Sequence, residues 1–216
     1  MKIRTTAAIV LAALAPAALA QDHGHMTVDT ASGTPGDQIV ISTYPTETNF
    51  SIVGGVLHRA GVPAVFDLTD WQPSGSFQGW FLGQTMTLTA DFFVATGRLD
   101  GGNFAFEVAG LTPEGGAGPG RFAMVSQHGT DFELEADSDG ATRADRTWVI
   151  GFNMHPHGQR VMLQGSGLYR VDLVAWDTNG VYTDSAPVSF YVQTPAPGAL
   201  ATLGGGLVLV SRRRRR

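Results

Sequence analysis

Apolar residues in this chain occur in short runs or alternate with polar residues, and turn-forming residues separate these stretches. Residues 168–174 alternate strictly, which is typical of a strand in a sheet with one face in water. No segment between residues 21 and 193 has the spacing of a long amphipathic helix. The pattern predicts nine strands, at residues 26–30, 38–42, 64–68, 86–93, 103–109, 121–126, 147–152, 167–176 and 187–193.

About nine short strands in one domain indicate an all-β protein, with a single β-sandwich of Ig-like or jelly-roll type at residues 21–193. The pair Asn179-Gly180 predicts a turn between the last two strands, which would form a closing hairpin. The segment 111–120 ends in a run of glycine and proline and is predicted to be a flexible loop.

The first twenty residues have the organisation of a secretory signal peptide. Lys2 and Arg4 are followed by an apolar run at residues 7–15, and Ala18-Leu19-Ala20 gives the small-x-small cleavage pattern. The apolar run is shorter than the roughly 20 residues that a membrane-spanning helix needs. The sequence therefore predicts an exported protein with a signal peptide at residues 1–20.

The C-terminal segment 194–216 contains three parts in order. Pro195-Ala196-Pro197 is followed by an apolar stretch at residues 198–210. The segment ends with Ser211 and five arginines, which begin with Arg212 and Arg213 and run to Arg216. The stretch as a helix covers about 20 Å, less than the ~30 Å of hydrocarbon in a bilayer. Because arginines stay on the cytoplasmic side, we expect transient membrane insertion of this tail.

This three-part order resembles the PEP-CTERM sorting signal of Gram-negative bacteria, with Pro195-Ala196-Pro197 where Pro-Glu-Pro is usual. The resemblance implies an exosortase-type processing peptidase as a partner. It also implies a location at the cell surface or in the extracellular matrix, with membrane association before the tail is processed.

Without the two terminal segments the domain is strongly acidic and contains no lysine. It has seven arginines and 19 acidic residues, which give a net charge of −12 with histidine neutral. Such a charge disfavours nucleic acid as a partner and keeps an exported domain soluble. The chain has no cysteine, so disulfides and thiolate metal ligands are excluded, and a metal would be held by histidine and carboxylate groups.

Four of the six histidines form two His-x-His pairs, His23-Gly24-His25 and His155-Pro156-His157. In an extended segment, residues i and i+2 point to the same side, so two imidazoles can converge on one ion. His128 is the candidate for a further ligand from another strand. This set predicts a divalent metal site, with zinc as the expected ion and copper or nickel as alternatives.

Two other arrangements of the histidines remain open. Cleavage after Ala20 would start the chain at Gln21-Asp22-His23, where the amine, two amides and an imidazole form a square-planar copper or nickel site. Alternatively, Pro156 favours an exposed loop, in which His155 and His157 bind nothing. His58 has no partner in sequence and is expected to be structural.

The domain also resembles choice-of-anchor domains and the zinc-repressed PEP-CTERM surface proteins of cyanobacteria. The shared motifs are His23-Gly24-His25, Gly118-Pro119-Gly120, His155-Pro156-His157 and the strand that begins Gly167-Leu168-Tyr169. The resemblance covers residues 103–192 and the first strand, and it does not extend to residues 43–83. It implies an anchored extracellular protein connected with zinc acquisition, with the histidines as ligands.

Other function classes have weaker support in the sequence. There is no Gly-x-Ser-x-Gly or His-Glu-x-x-His motif, so an enzyme is not expected. A module that binds carbohydrate, such as extracellular polysaccharide, would use Trp71 and Trp80, which flank a loop rich in glycine and serine. Trp148 and Trp176 lie in apolar strands and are expected in the core. A purely structural surface module also remains open.

Overall fold

The computed structural model describes residues 24–44, 48–90, 99–156 and 158–195. This part of the chain is all-β, with sixteen strands and one 3-10 helix, Ala144–Arg146. The strands are β1 His25–Thr30, β2 Ile39–Thr43, β3 Phe50–Val53, β4 Val56–Arg59, β5 Val62–Pro63, β6 Val65–Asp67, β7 Asp70–Trp71, β8 Phe81–Gly83, β9 Thr87–Thr89, β10 Phe104–Glu114, β11 Arg121–His128, β12 Asp131–Asp137, β13 Thr147–Gly151, β14 Gln159–Gln164, β15 Gly167–Asp177 and β16 Val188–Thr194.

The strands form three sheets that pack in a sandwich-like arrangement. One sheet has eight strands in the order β13-β10-β15-β16-β4-β3, with β5 beside β4 and β6 beside β16. A second has the order β12-β11-β14-β8-β7, and a small third sheet has the order β2-β1-β9. Neighbours are antiparallel except for β1 with β9 and for β16 with β4 and β6.

All three sheets contribute to one main hydrophobic core. Alternate residues of β15 are buried, with Tyr169, Val171 and Leu173 in this core. Phe122 of the five-stranded sheet meets Phe190 of the eight-stranded sheet, with ring centroids 6.3 Å apart. Burial of large aromatic and aliphatic side chains between facing sheets supplies the main driving force for this fold.

The five-stranded sheet is covered on both faces. Along β11, Phe122 and Met124 face the main core, whereas Ala123 and Val125 belong to a second apolar cluster on the opposite face. This second cluster includes Trp80, which comes from the segment between β7 and β8. The middle of β11, residues 122–125, is therefore continuously apolar, as expected for a strand that is buried on both sides.

The structure confirms the all-β class and the sandwich-like arrangement. Strands β15 and β16 pair as the closing hairpin, from Gly167 opposite Thr194 to Leu173 opposite Val188. The prediction that residues 111–120 form a loop is wrong at its start, because β10 continues to Glu114 and pairs there with β15. Pro113 is tolerated since β13 pairs with β10 only from Phe104 to Glu107, so no strand of the described residues pairs with β10 on that side of the proline.

Two segments that the sequence predicts lie outside the described residues. These are the predicted signal peptide at 1–20 and the part of the predicted sorting tail beyond Pro195, including Ala196, Pro197, Arg212 and Arg213. Within the described ranges, no helix has the length and apolar character needed to cross a bilayer.

Candidate functional site

Two histidines from the two different His-x-His pairs lie side by side. His25 is the first residue of β1, where it stands opposite Thr87 of β9. His155 lies in the connection between β13 and β14, and this connection is tied to β9 by the hydrogen bond from Ala90 N to Met154 O, 2.9 Å long. Pairing of β1 with β9 therefore brings two histidines 130 positions apart in sequence into contact.

The imidazole rings of His25 and His155 have centroids 4.7 Å apart and planes at 57°. Tyr44 completes the group, with its ring 4.8 Å from that of His25. The Tyr44 hydroxyl lies 3.2 Å from Nδ1 of His155. All three side chains are half-buried, so they are held by their surroundings and still meet the solvent.

This geometry is compatible with shared coordination of one ion. Two imidazoles that bind one tetrahedral zinc through bonds of about 2.0–2.1 Å have ring centroids roughly 5 Å apart. Histidine ligands usually donate the N–H of their other nitrogen to a fixed acceptor, which sets the tautomer. Tyr44 fills that role when Nδ1 of His155 donates to its hydroxyl, and Nε2 is then the nitrogen of His155 that could bind a metal.

Tyr44 was not among the residues selected from sequence, although the hairpin register points to it. Strands β1 and β2 pair antiparallel with Met26 opposite Thr43, so the next positions, His25 and Tyr44, also stand opposite each other. Cross-strand neighbours of this kind have side chains on the same face. A predicted register for the first hairpin would have identified the tyrosine.

The remaining histidines are placed differently. The side chain of His128, at the end of β11, is 71% exposed and lies 3.8 Å from a carboxylate oxygen of Glu133. Nδ1 of His58 bonds the carbonyl of Val56 at 3.0 Å, which fits the structural role expected for it. His23 and His157 fall outside the described residues, and among the residues that are described no three His, Cys, Asp or Glu side chains form a group suited to a metal.

The two tryptophans of the carbohydrate hypothesis lie on opposite faces of the five-stranded sheet. Trp71 stands opposite Phe81, whose side chain belongs to the main core, and it is 43% exposed. Trp80 is only 6% exposed and lies in the second apolar cluster. The two indoles therefore do not share one surface.

The other two tryptophans differ from each other. Trp148 is buried in the main core, as expected from its strand. Trp176 was also expected in the core, and this prediction is wrong because its side chain is only half-buried. The guanidinium carbon of Arg143 lies 4.1 Å from its ring centroid, so a cation–π contact covers the indole instead.

A separate polar cluster joins β11 to the end of β12. Nε of Arg121 donates to both carboxylate oxygens of Asp137, at 2.9 and 3.0 Å, and Nη2 adds a further bond. Burial alone would raise the pKa of Asp137, but the hydrogen bonds from Arg121 and from the backbone N–H of Asp139 outweigh it and lower the pKa below its ordinary value of 3.8. The ion pair thus favours the ionised carboxylate in the folded protein.

This lowered pKa gives a pH prediction. A carboxylate with a lower pKa folded than unfolded stabilises the fold fully above about pH 4, and this contribution is lost as the pH falls through the folded pKa. We expect Asp137→Asn to lower the free energy of unfolding at pH 7, with a smaller difference from the parent protein at pH 3. Urea unfolding at both pH values measures it. Asp139→Asn is the control, because it changes an exposed carboxylate of the same turn. If Asp137→Asn lowers the free energy of unfolding by the same amount at pH 3 as at pH 7, the lowered pKa of Asp137 is contradicted.

Comparison of the chain with protein-family models, curated proteins and solved structures finds no match.

Proposed function

We propose that the sandwich domain binds a divalent metal ion, with zinc as the preferred ion, through His25 and His155. The observation that supports this most directly is the 4.7 Å separation of these two imidazoles, which come from separate His-x-His pairs. Tyr44 supports it further, because its hydroxyl lies in position to hold the tautomer of His155.

The chemistry of the ligands favours zinc over harder cations. Neutral imidazole suits zinc, copper and nickel, whereas calcium and magnesium take oxygen ligands. With no cysteine in the chain, further ligands must supply nitrogen or oxygen. His23 and His157, two positions from His25 and His155 in sequence, are the ligands that we propose to complete the site, with His128 as the alternative.

The proposed setting of this site is the outside of the cell. The sequence of the first twenty residues and the PEP-CTERM-like tail support an exported protein that an exosortase-type peptidase sorts to the surface. The resemblance to zinc-repressed surface proteins supports zinc as the ion. In this setting, the acidic surface attracts cations and disfavours nucleic acid.

Metal content decides the proposal. The full chain, purified without a histidine tag and dialysed against zinc, is expected to retain about one zinc per chain, measured by inductively coupled plasma mass spectrometry. The double variant His25→Ala/His155→Ala is expected to retain none. Tyr44→Phe keeps both ligands but removes the hydroxyl beside His155, so we expect zinc affinity to fall by about 10–100-fold.

Two histidine variants serve as controls. His58→Ala removes an imidazole of the same kind from a place where it bonds only backbone among its described contacts, and it is expected to keep full zinc content. His128→Ala tests the alternative ligand. Zinc content that is equal in the parent protein and in the double variant, or absent from both, would refute the proposed site.

A further inference from the structure

A groove with a volume of about 340 Å³ lies on the outer face of the five-stranded sheet. One side is formed by Phe77 and Trp80, from the segment between β7 and β8, and the other by Phe132 and Leu134 of the edge strand β12. The groove closes on Arg121 and Asp137. Strands β12 and β7 are the two edges of this sheet. The groove therefore runs across the sheet, from the segment between β7 and β8 that covers its face to the edge strand β12.

The covering segment is folded back onto the sheet by its own backbone bonds. Gln72 N donates to Trp80 O at 2.8 Å, and Gly79 N donates to Gln72 O at 2.9 Å. This turn places Trp80 on the second apolar cluster and leaves Phe77 partly exposed above it. Phe77 meets Trp80 and Phe132 edge-on, with centroids 5.7 and 6.4 Å away.

The apolar side of the groove is open to solvent at β12. Leu134 is 49% exposed, and Phe132 is only partly buried against the cluster. Apolar side chains that line a concave surface beside fixed polar groups are the usual composition of a ligand site.

The polar end of the groove has a guanidinium with unused donor capacity. The hydrogen bonds of Arg121 to Asp137 involve Nε and Nη2, and none in the described part of the chain involves Nη1. The side chain of Arg121 is 42% exposed, whereas that of Asp137 is 8% exposed, so the arginine is the member of the pair that meets a ligand. Ser76 adds a hydroxyl to the same lining.

We propose that this groove binds a neutral saccharide of one or two rings. The apolar C–H face of a sugar packs against Phe132, Phe77 and Leu134, and its hydroxyls bond the Arg121 guanidinium and the Ser76 hydroxyl. A neutral ligand fits the charges, because Asp137 already balances Arg121 and a carboxylate oxygen of Asp139 lies 3.8 Å from its Nε. The volume is near the lower limit of roughly 300 Å³ for small-molecule sites, which suits one or two sugar rings rather than a peptide segment.

This site differs from a platform made of Trp71 and Trp80. Trp80 supports the groove from within the second apolar cluster. The guanidinium of Arg121 covers the indole of Trp80, with its carbon 5.5 Å from the ring centroid. Trp71 lies on the opposite face of the sheet and takes no part. The two hypotheses therefore assign sugar binding to different residues.

Isothermal titration calorimetry of the full chain with cellobiose, N,N′-diacetylchitobiose, maltose and xylobiose, in buffer free of sugar-based detergent, tests the proposal. We expect at least one of these neutral oligosaccharides to bind with a millimolar or lower Kd. Phe132→Ala and Leu134→Ala are each expected to weaken it about ten-fold. Leu134 is half-exposed, so its truncation reports on binding even if loss of Phe132 disturbs the fold.

Trp71→Ala and Val149→Ala are the matched controls, each removing an exposed apolar side chain elsewhere. Both are expected to leave the affinity unchanged. A loss of affinity in Trp71→Ala with normal binding in Leu134→Ala would overturn the groove assignment. Failure of all four oligosaccharides to bind at millimolar concentration would also overturn it.

Discussion

Replacement of Asp177 by alanine is expected to lower the free energy of unfolding by about 4 kcal/mol, since hydrogen bonds to a charged group contribute roughly 1.5–3 kcal/mol each and overlap in part. Asp177 ends β15 and is buried. Its Oδ1 accepts from the backbone N–H groups of Asn103 and Asn179, at 2.7 and 3.0 Å. Its Oδ2 accepts from those of Val181 and Tyr182, at 2.7 and 3.2 Å.

Urea unfolding monitored by tryptophan fluorescence measures this effect. Asp177→Asn keeps one oxygen acceptor, so we expect it to lose about half as much stability as Asp177→Ala. Asp184→Ala is the control, because this half-exposed carboxylate in the same connection pairs with Arg143 at the surface, where ion pairs contribute about 0–1 kcal/mol. A loss for Asp177→Ala no larger than that of the control would show that the four bonds do not organise the turn.

Tyr169→Ala is expected to destabilise the domain by a similar amount, about 3–5 kcal/mol, because it empties a large space in the core. Tyr169 is fully buried, and its hydroxyl donates to the carbonyl of Gly118 at 3.0 Å. A Cβ on Gly120 would lie 2.5 Å from the tyrosine ring, and one on Gly165 would lie 2.5 Å from its hydroxyl. The glycines therefore allow the backbone to approach the ring closely.

Variants of the neighbouring residues separate packing from hydrogen bonding. Tyr169→Phe keeps the ring and is expected to cost about 1 kcal/mol. Gly120→Ala introduces overpacking and is expected to cost about 1–3 kcal/mol. Gly118→Ala is the control: a Cβ there meets nothing within 4 Å, so we expect a change of at most about 0.5 kcal/mol. Equal stabilities of Gly118→Ala and Gly120→Ala in urea would contradict the close approach.

These contacts explain two motifs that sequence analysis connected only by resemblance. Gly118-Pro119-Gly120 and the start of β15 meet because Tyr169 inserts against the first motif. Their co-occurrence therefore has a structural reason in this domain, the packing of one buried tyrosine against two glycines.

Local pattern located the strands that have one wet face and most of those with a short apolar run, but it missed β14, Gln159–Gln164, whose apolar run is only three residues long. It failed for β12, Asp131–Asp137, where four of seven residues are acidic and the strand forms a sheet edge. Among the short strands between Phe50 and Gly83 it located β6, within the predicted strand 64–68, and missed the others, whose pairing with distant strands such as β14 and β16 stabilises them. A strand of three or four residues carries too little periodicity to be recognised without its partners.

The sequence by itself determined the all-β class, the closing hairpin and the paired histidines as the candidate metal chemistry, because alternation, turn residues and ligand types are local properties. Only the tertiary structure decided which of these residues meet. The contact of His25 with His155 and Tyr44 depends on the pairing of β1 with β2 and β9, which joins segments far apart in sequence. The groove at Arg121 likewise exists only because the segment between β7 and β8 folds back over a strand pair that follows it in the chain.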